Sequence, residues 1–190
     1  MMVGMLVGSV HALAVLLGLA AVAKLVSPGR TSAALKSAGI ASGAGVVRTL
    51  AVVELLLAVA VLAVGGPVPA FGLAVTYLGF AGFVARLRRR AGGRAGCGCF
   101  GGEEAPAGRL HVVVNLVAAV VASAAGFTGA PGLGAELAHQ PALGVPYLGL
   151  VGLLAWLTMV SLTSLPSLDE AQRELRAGTA DLVMAPAAGR

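Results

Sequence analysis

The stretch "VGMLVGSVHALAVLLGLAAVAKLV", residues 3–26, holds one charged side chain, Lys24, and one other ionisable group, His11. As an α-helix its 24 residues would rise about 36 Å, enough to cross the roughly 30 Å of hydrocarbon in a bilayer. Four further apolar runs, over residues 45–65, 69–86, 110–128 and 142–163, repeat the pattern. None alternates polar and apolar residues as the strands of a membrane barrel do, and a continuous apolar run satisfies its own backbone polar groups in lipid only as a helix. The sequence therefore predicts an all-α integral membrane protein. Its parts are a four-helix transmembrane bundle, a fifth transmembrane helix and a short amphipathic C-terminal tail.

Composition agrees. The chain is 58% hydrophobic and 11% charged, whereas soluble domains carry about a quarter charged residues. In a soluble protein the net charge of +5 would point to nucleic acid. Here the basic residues are expected to set topology, because Lys and Arg near span ends stay on the cytoplasmic side. Lys24, Arg30, Lys36 and Arg48 bracket the first loop, and Arg86, Arg88, Arg89, Arg90, Arg94 and Arg109 bracket the third. Arg173, Arg176 and Arg190 lie in the tail. The second loop, "GGPVPA", and the fourth, "GAPGLGAELAHQP", carry none. Five spans and this bias predict a multi-pass protein of the cell (inner, cytoplasmic) membrane, N-terminus outside and C-terminus inside. The lipid bilayer is its first partner and nucleic acid is not one. The first span lacks the basic n-region of a signal peptide and is expected to be retained.

Three segments follow: residues 1–130 with four spans, 131–164 with the fourth loop and fifth span, and a cytoplasmic tail over 165–190. In the tail, Ser167 followed by Glu170 has the spacing of a capping box and predicts a separate short polar helix through about Arg176.

The only two cysteines, Cys97 and Cys99, stand one residue apart in "RAGCGCFGG", residues 94–102, on the expected cytoplasmic side. Free cysteines are often buried small hydrophobes, but the surrounding glycines fit a packed core poorly. A zinc site wants about four ligands; Cys97, Cys99 and His111 fall short, so no metal is expected. In the third reading the pair undergoes thiol–disulfide exchange. Arg90, Arg94 and Arg109 would favour a thiolate, and a disulfide closed across Gly98 would be strained and easily reduced.

Polar residues within apolar spans are costly and tend to be functional. Glu54 must be paired, protonated or exposed to a wet cavity, and Lys24 is its natural partner. His111 and Asn115, spaced i and i+4, share a helix face expected to point into the bundle; as interhelical hydrogen-bonding groups they would contribute about 1 kcal/mol each. His11 lies toward the opposite end and reads as structural. A haem held by His11 and His111 is disfavoured for that reason.

These features resemble the MauE proteins, small membrane proteins of methylamine utilisation grouped with the DoxX-like redox-associated membrane proteins. The resemblance is carried by "AKLVSP" (23–28), "ELLLA" (54–58), "CGCFG" (97–101) after a basic run, and "HVVVN" (111–115). It spans about residues 5–130. It implies a four-helix bundle associated with thiol redox, working with a thioredoxin-like protein in the maturation of exported proteins. By that resemblance the site residues are Lys24, Glu54, Cys97, Cys99, His111 and Asn115. The combined expectation is a membrane thiol–disulfide oxidoreductase in which Cys97 and Cys99 exchange with a thioredoxin-like protein or a low-molecular-weight thiol. Glu54 and His111 would handle protons, or with Lys24 and Asn115 line a cavity for a quinone head group. The alternative is a non-catalytic membrane scaffold or maturation factor.

Overall fold

The structure, a computed structural model of the chain, describes residues 2–91, 96, 108–139 and 143–184, with side chains over 4–91, 96, 108–139 and 143–164. Among these residues are seven helices: α1 (Met2–Val26), α2 (Pro28–Ser37), α3 (Ala44–Ala63), α4 (Pro67–Ala91), α5 (Arg109–Thr128), α6 (Leu133–His139) and α7 (Gly144–Met184). Five are long and apolar enough to cross a membrane: Gly4–Val26, Ala44–Ala63, Pro67–Ala91, Arg109–Thr128 and Gly144–Ser164. No β-strand occurs among the described residues.

Helix α1 is the axis of the bundle. It packs against α3, α5 and α7, and 56% of its span is buried against 17% for α7. Its core side chains Val7, Val10, Ala14 and Leu17 meet Ala58 and Val61 of α3, Leu73, Ala74 and Tyr77 of α4, and Ala118, Ala119, Ala122 and Ala125 of α5. Alanine dominates the α5 face because association in lipid depends on close backbone approach, which small side chains permit. At Gly126 an added Cβ would stand 2.9 Å from the Phe71 ring. Leu56, Val59, Val75, Val117, Val120 and Trp156 point outward, as a lipid-facing surface requires.

The spans alternate in direction and bring the basic residues of α1 to α5, from Lys24 to Arg90 and Arg109, to one end. There α2, a helix not expected from the sequence, lies across the bundle: Ala34 and Ala38 pack on Val84 and Leu87 of α4, with Val112 of α5 alongside. Pro28 occupies its first turn, where a missing N–H costs nothing. Arg86 Nε donates to the Ala38 carbonyl oxygen at 2.8 Å, beyond the last turn of α2, a favourable place for a cation. The Arg90 guanidinium lies against Gly39, so close that a Cβ there would meet Nη1 at 1.9 Å.

At the other end the α3–α4 and α5–α6 turns meet backbone to backbone. Gly66 N–H donates to Ala130 O at 2.7 Å, and Gly65 pairs with Pro131. Gly65 has φ +69°, and a Cβ there would stand 2.2 Å from Gly132 N; only glycine satisfies both conditions.

One expectation is corrected. The tail does not restart as a helix at Ser167, because α7 runs unbroken from Gly144 to Met184. At 1.5 Å per residue it is about 60 Å long, twice the hydrocarbon thickness. A capping box marks where a helix can begin, and a helix already formed has no need of it.

Candidate functional site

Helices α1 and α3 lie side by side, with Gly18 of one against Ala58 of the other. This register brings Lys24 and Glu54 together: Lys24 Nζ donates to Glu54 Oε2 at 2.5 Å, with the side chains 3% and 2% exposed. Lys24 is two residues from the end of α1 and could extend toward the basic end, as interfacial lysines do. It turns inward instead. Its ammonium also sits 4.6 Å from the centre of the Phe80 ring of α4, in cation–π contact. Phe80 is held edge-on by Tyr77, 5.9 Å away at 89°. Tyr77 donates its hydroxyl to Leu13 O at 2.8 Å, which locks α4 to α1 beside the pair. Glu54 Oε1 is buried and has no hydrogen-bond partner among the described residues.

His111 and Asn115 on α5 are both buried, so the shared face does point inward. Asn115 Nδ2 donates to the His111 carbonyl oxygen at 2.6 Å. That donor is used within its own helix, where the sequence had suggested a bond between helices. His111 Nδ1 is buried without a partner among the described residues. The contact of Phe71 with Gly126 and the clustering of Val84 with Val112 fix the antiparallel register of α4 and α5. Asn115 accordingly lies level with Ala81, next to Phe80, and His111 one turn nearer the basic end.

Cys97, Cys99 and Arg94 lie outside the described residues. What is described is the anchorage of their segment. It leaves α4 at Ala91 and rejoins the chain ahead of α5 at Arg109, and these two helices pack along their length at the basic end. Of the arginines expected to act on the thiols, Arg90 is engaged with the α2–α3 turn, whereas Arg109 is exposed at the start of α5.

The family model described as methylamine utilisation protein MauE matches residues 2–130. The chain belongs to the MauE family. No individually curated protein and no solved structure matches it. The MauE match takes in α1 to α5 and ends at the turn before α6, so the ion pair and the anchors of the cysteine segment fall within it, while α6 and α7 lie beyond. Five apolar helices and MauE membership together make this a multi-pass membrane protein.

His11 links the two regions. Its ring is fully buried, with Nδ1 2.6 Å from the Tyr147 hydroxyl of α7 and Nε2 3.0 Å from Pro131 O. The structural reading of His11 thus acquires its partners. Pro131 follows the C-terminus of α5 and His111 is its third residue, which puts the two histidines at opposite ends of a helix about 30 Å long. Tyr77, Phe80 and Tyr147 were not named from the sequence. The signal was present, because a tyrosine buried in lipid must place its hydroxyl on an acceptor, and the chain has only two.

Proposed function

We propose that this MauE protein is a membrane thiol–disulfide redox protein in which Cys97 and Cys99 cycle between dithiol and disulfide. One observation carries the reading. The cysteine segment is tethered at both ends to packed helices at the basic end, with the buried His111 in the first turn of α5 and the buried Lys24–Glu54 pair half-way along α3. The partner is a thioredoxin-like protein or a low-molecular-weight thiol, and the setting is the maturation of an exported redox protein in methylamine utilisation. The membrane is the cytoplasmic one, with N-terminus outside and the cysteine loop and C-terminus inside.

In exchange, a partner thiolate attacks one sulfur of the Cys97–Cys99 disulfide, forming a mixed disulfide and expelling the other cysteine as thiolate. A second partner thiolate then attacks the mixed disulfide. Two electrons and two protons reach Cys97 and Cys99, and the partner leaves as a disulfide. In reverse, Cys97, nearer the basic run, attacks the partner and Cys99 resolves. Glu54 and His111 exchange the protons. The same residues suit a quinone head group in kind: Glu54 Oε1 and His111 Nδ1 are buried without a hydrogen-bond partner among the described residues, Asn115 lies one turn from His111, and Lys24 supplies a positive charge. When bound, a quinone would supply a two-electron acceptor for the dithiol.

A second reading, a non-catalytic scaffold for maturation, is favoured by the closed Lys24–Glu54 pair, which also serves as a bolt between α1 and α3. Non-reducing electrophoresis of Cys97→Ser and Cys99→Ser, with mass spectrometry of shifted bands, separates the two. An adduct in the mutant that lacks the resolving cysteine supports exchange. Two adduct-free mutants, with both thiols of the parent reduced under every condition, leave the scaffold.

A further inference from the structure

The Lys24–Glu54 pair has an asymmetry that a purely structural bolt does not need. Glu54 presents one oxygen to the ammonium and buries the other, Oε1, without a partner among the described residues. A buried carboxylate with an empty acceptor is a poor resting charge. It is well suited to receive a proton, since a protonated carboxyl has fewer lone pairs that call for a donor and loses the desolvation cost of its charge. Lys24, for its part, stands two residues from the end of α1, on a stem long enough to bring its ammonium from the bundle interior to the interface.

We propose that Glu54 is a proton-binding site and that its protonation releases Lys24 from the bundle interior to the basic end. The step balances simply: one proton from water at the basic end adds to the Glu54 carboxylate, and the ammonium keeps its charge and changes place. The interior is neutral before and after, once as an ion pair and once as an uncharged acid. Lys24 from α1 and Tyr77 from α4 are the titratable groups facing Glu54. Arg48 of α3 and Arg30 and Lys36 of α2 are exposed at the basic end, whereas Glu136 and His139 belong to α6 at the far end of α3. The inference deepens the proton-handling role proposed for Glu54 and rests on that part of the reading alone. Neither cysteine enters its test, so it and the thiol chemistry fail separately.

The chain has two lysines, and the second, Lys36, is exposed, an internal standard for amine reactivity. The full-length protein in lipid nanodiscs is treated with a membrane-impermeant acylating reagent, and the Lys24 to Lys36 labelling ratio is read by peptide mass spectrometry. Glu54→Gln, which mimics the uncharged acid, should raise the ratio about tenfold at neutral pH, and the unaltered protein should show the same rise as pH falls from about 9 to about 5. In parallel, dicyclohexylcarbodiimide, a lipid-soluble reagent for protonated carboxyls, should modify Glu54 at the acidic end of that range and not at the alkaline end. The unaltered protein decides the matter if the variant fails to fold. A ratio independent of pH, or the absence of a Glu54 adduct at every pH, overturns the proposal.

Discussion

Lys24 and Glu54, 30 residues apart in the chain, meet at 2.5 Å in an interior from which both are almost wholly withdrawn from solvent. Removing one partner strands a charge, and removing both strands nothing. Lys24→Met should therefore destabilise the protein by about 3 kcal/mol, and adding Glu54→Leu should recover most of that loss. Thermal unfolding in detergent, run as a double-mutant cycle, measures the coupling. Additive effects would contradict a direct pair.

The tie from His11 to Tyr147 predicts a second coupling. Tyr147→Phe removes one hydrogen bond, at a cost of about 1 kcal/mol; His11→Phe also strips Pro131 O of its donor and should cost about 2 kcal/mol. The combined loss should fall short of the sum. Hydrogen exchange ought to quicken in the first turns of α7 while α3 and α4 keep their protection.

Gly65 and Gly66 both have positive φ, at 69° and 84°, yet only Gly65 faces backbone at van der Waals range. Gly66→Ala should cost about 1 kcal/mol, the strain of a left-handed L-residue. Gly65→Ala adds a collision with Gly132 N and should cost several kcal/mol. Melting temperatures of the two single mutants make the comparison; equal losses would mean that the two turns do not touch.

The one-sided basic residues predict that a membrane-impermeant maleimide labels Cys97 and Cys99 only after cells are opened. Labelling of intact cells would reverse the orientation and move the thiol chemistry to the outer face.

The spans were legible because hydrophobic length is a local property, and the Lys24–Glu54 pair because two opposite charges in successive antiparallel spans have few other places to go. Helix α2 was not, although Pro28 and the buried positions Thr31, Ala34 and Ala38 carry an N-terminal signal and a helical spacing. Its residues are too polar to stand out beside the spans. The structural reading of His11 was correct in kind, but its partner lies 136 residues away, beyond any spacing rule. The basic run was read only through its charge, whereas Arg86 and Arg90 also bind the α2–α3 turn, a role set by tertiary contact. At Ser167 the local capping pattern was outweighed by the helix already running into it.

The central place of α1 has a consequence for the order in which the protein is made. A chain elongating at roughly 5 to 20 residues per second delivers Glu54 roughly 1.5 to 6 s after Lys24, the 30-residue separation setting the delay. Tyr147, 136 residues after His11, arrives roughly 7 to 27 s after it. Helix α1 is thus made well before α3, α5 and α7, the helices it packs against. Lys24 so near its end is what makes the wait tolerable, because the ammonium can rest among the lipid headgroups until its acid arrives. His11 has no such refuge: its first acceptor, Pro131 O, follows it by 120 residues and the Tyr147 hydroxyl by 136.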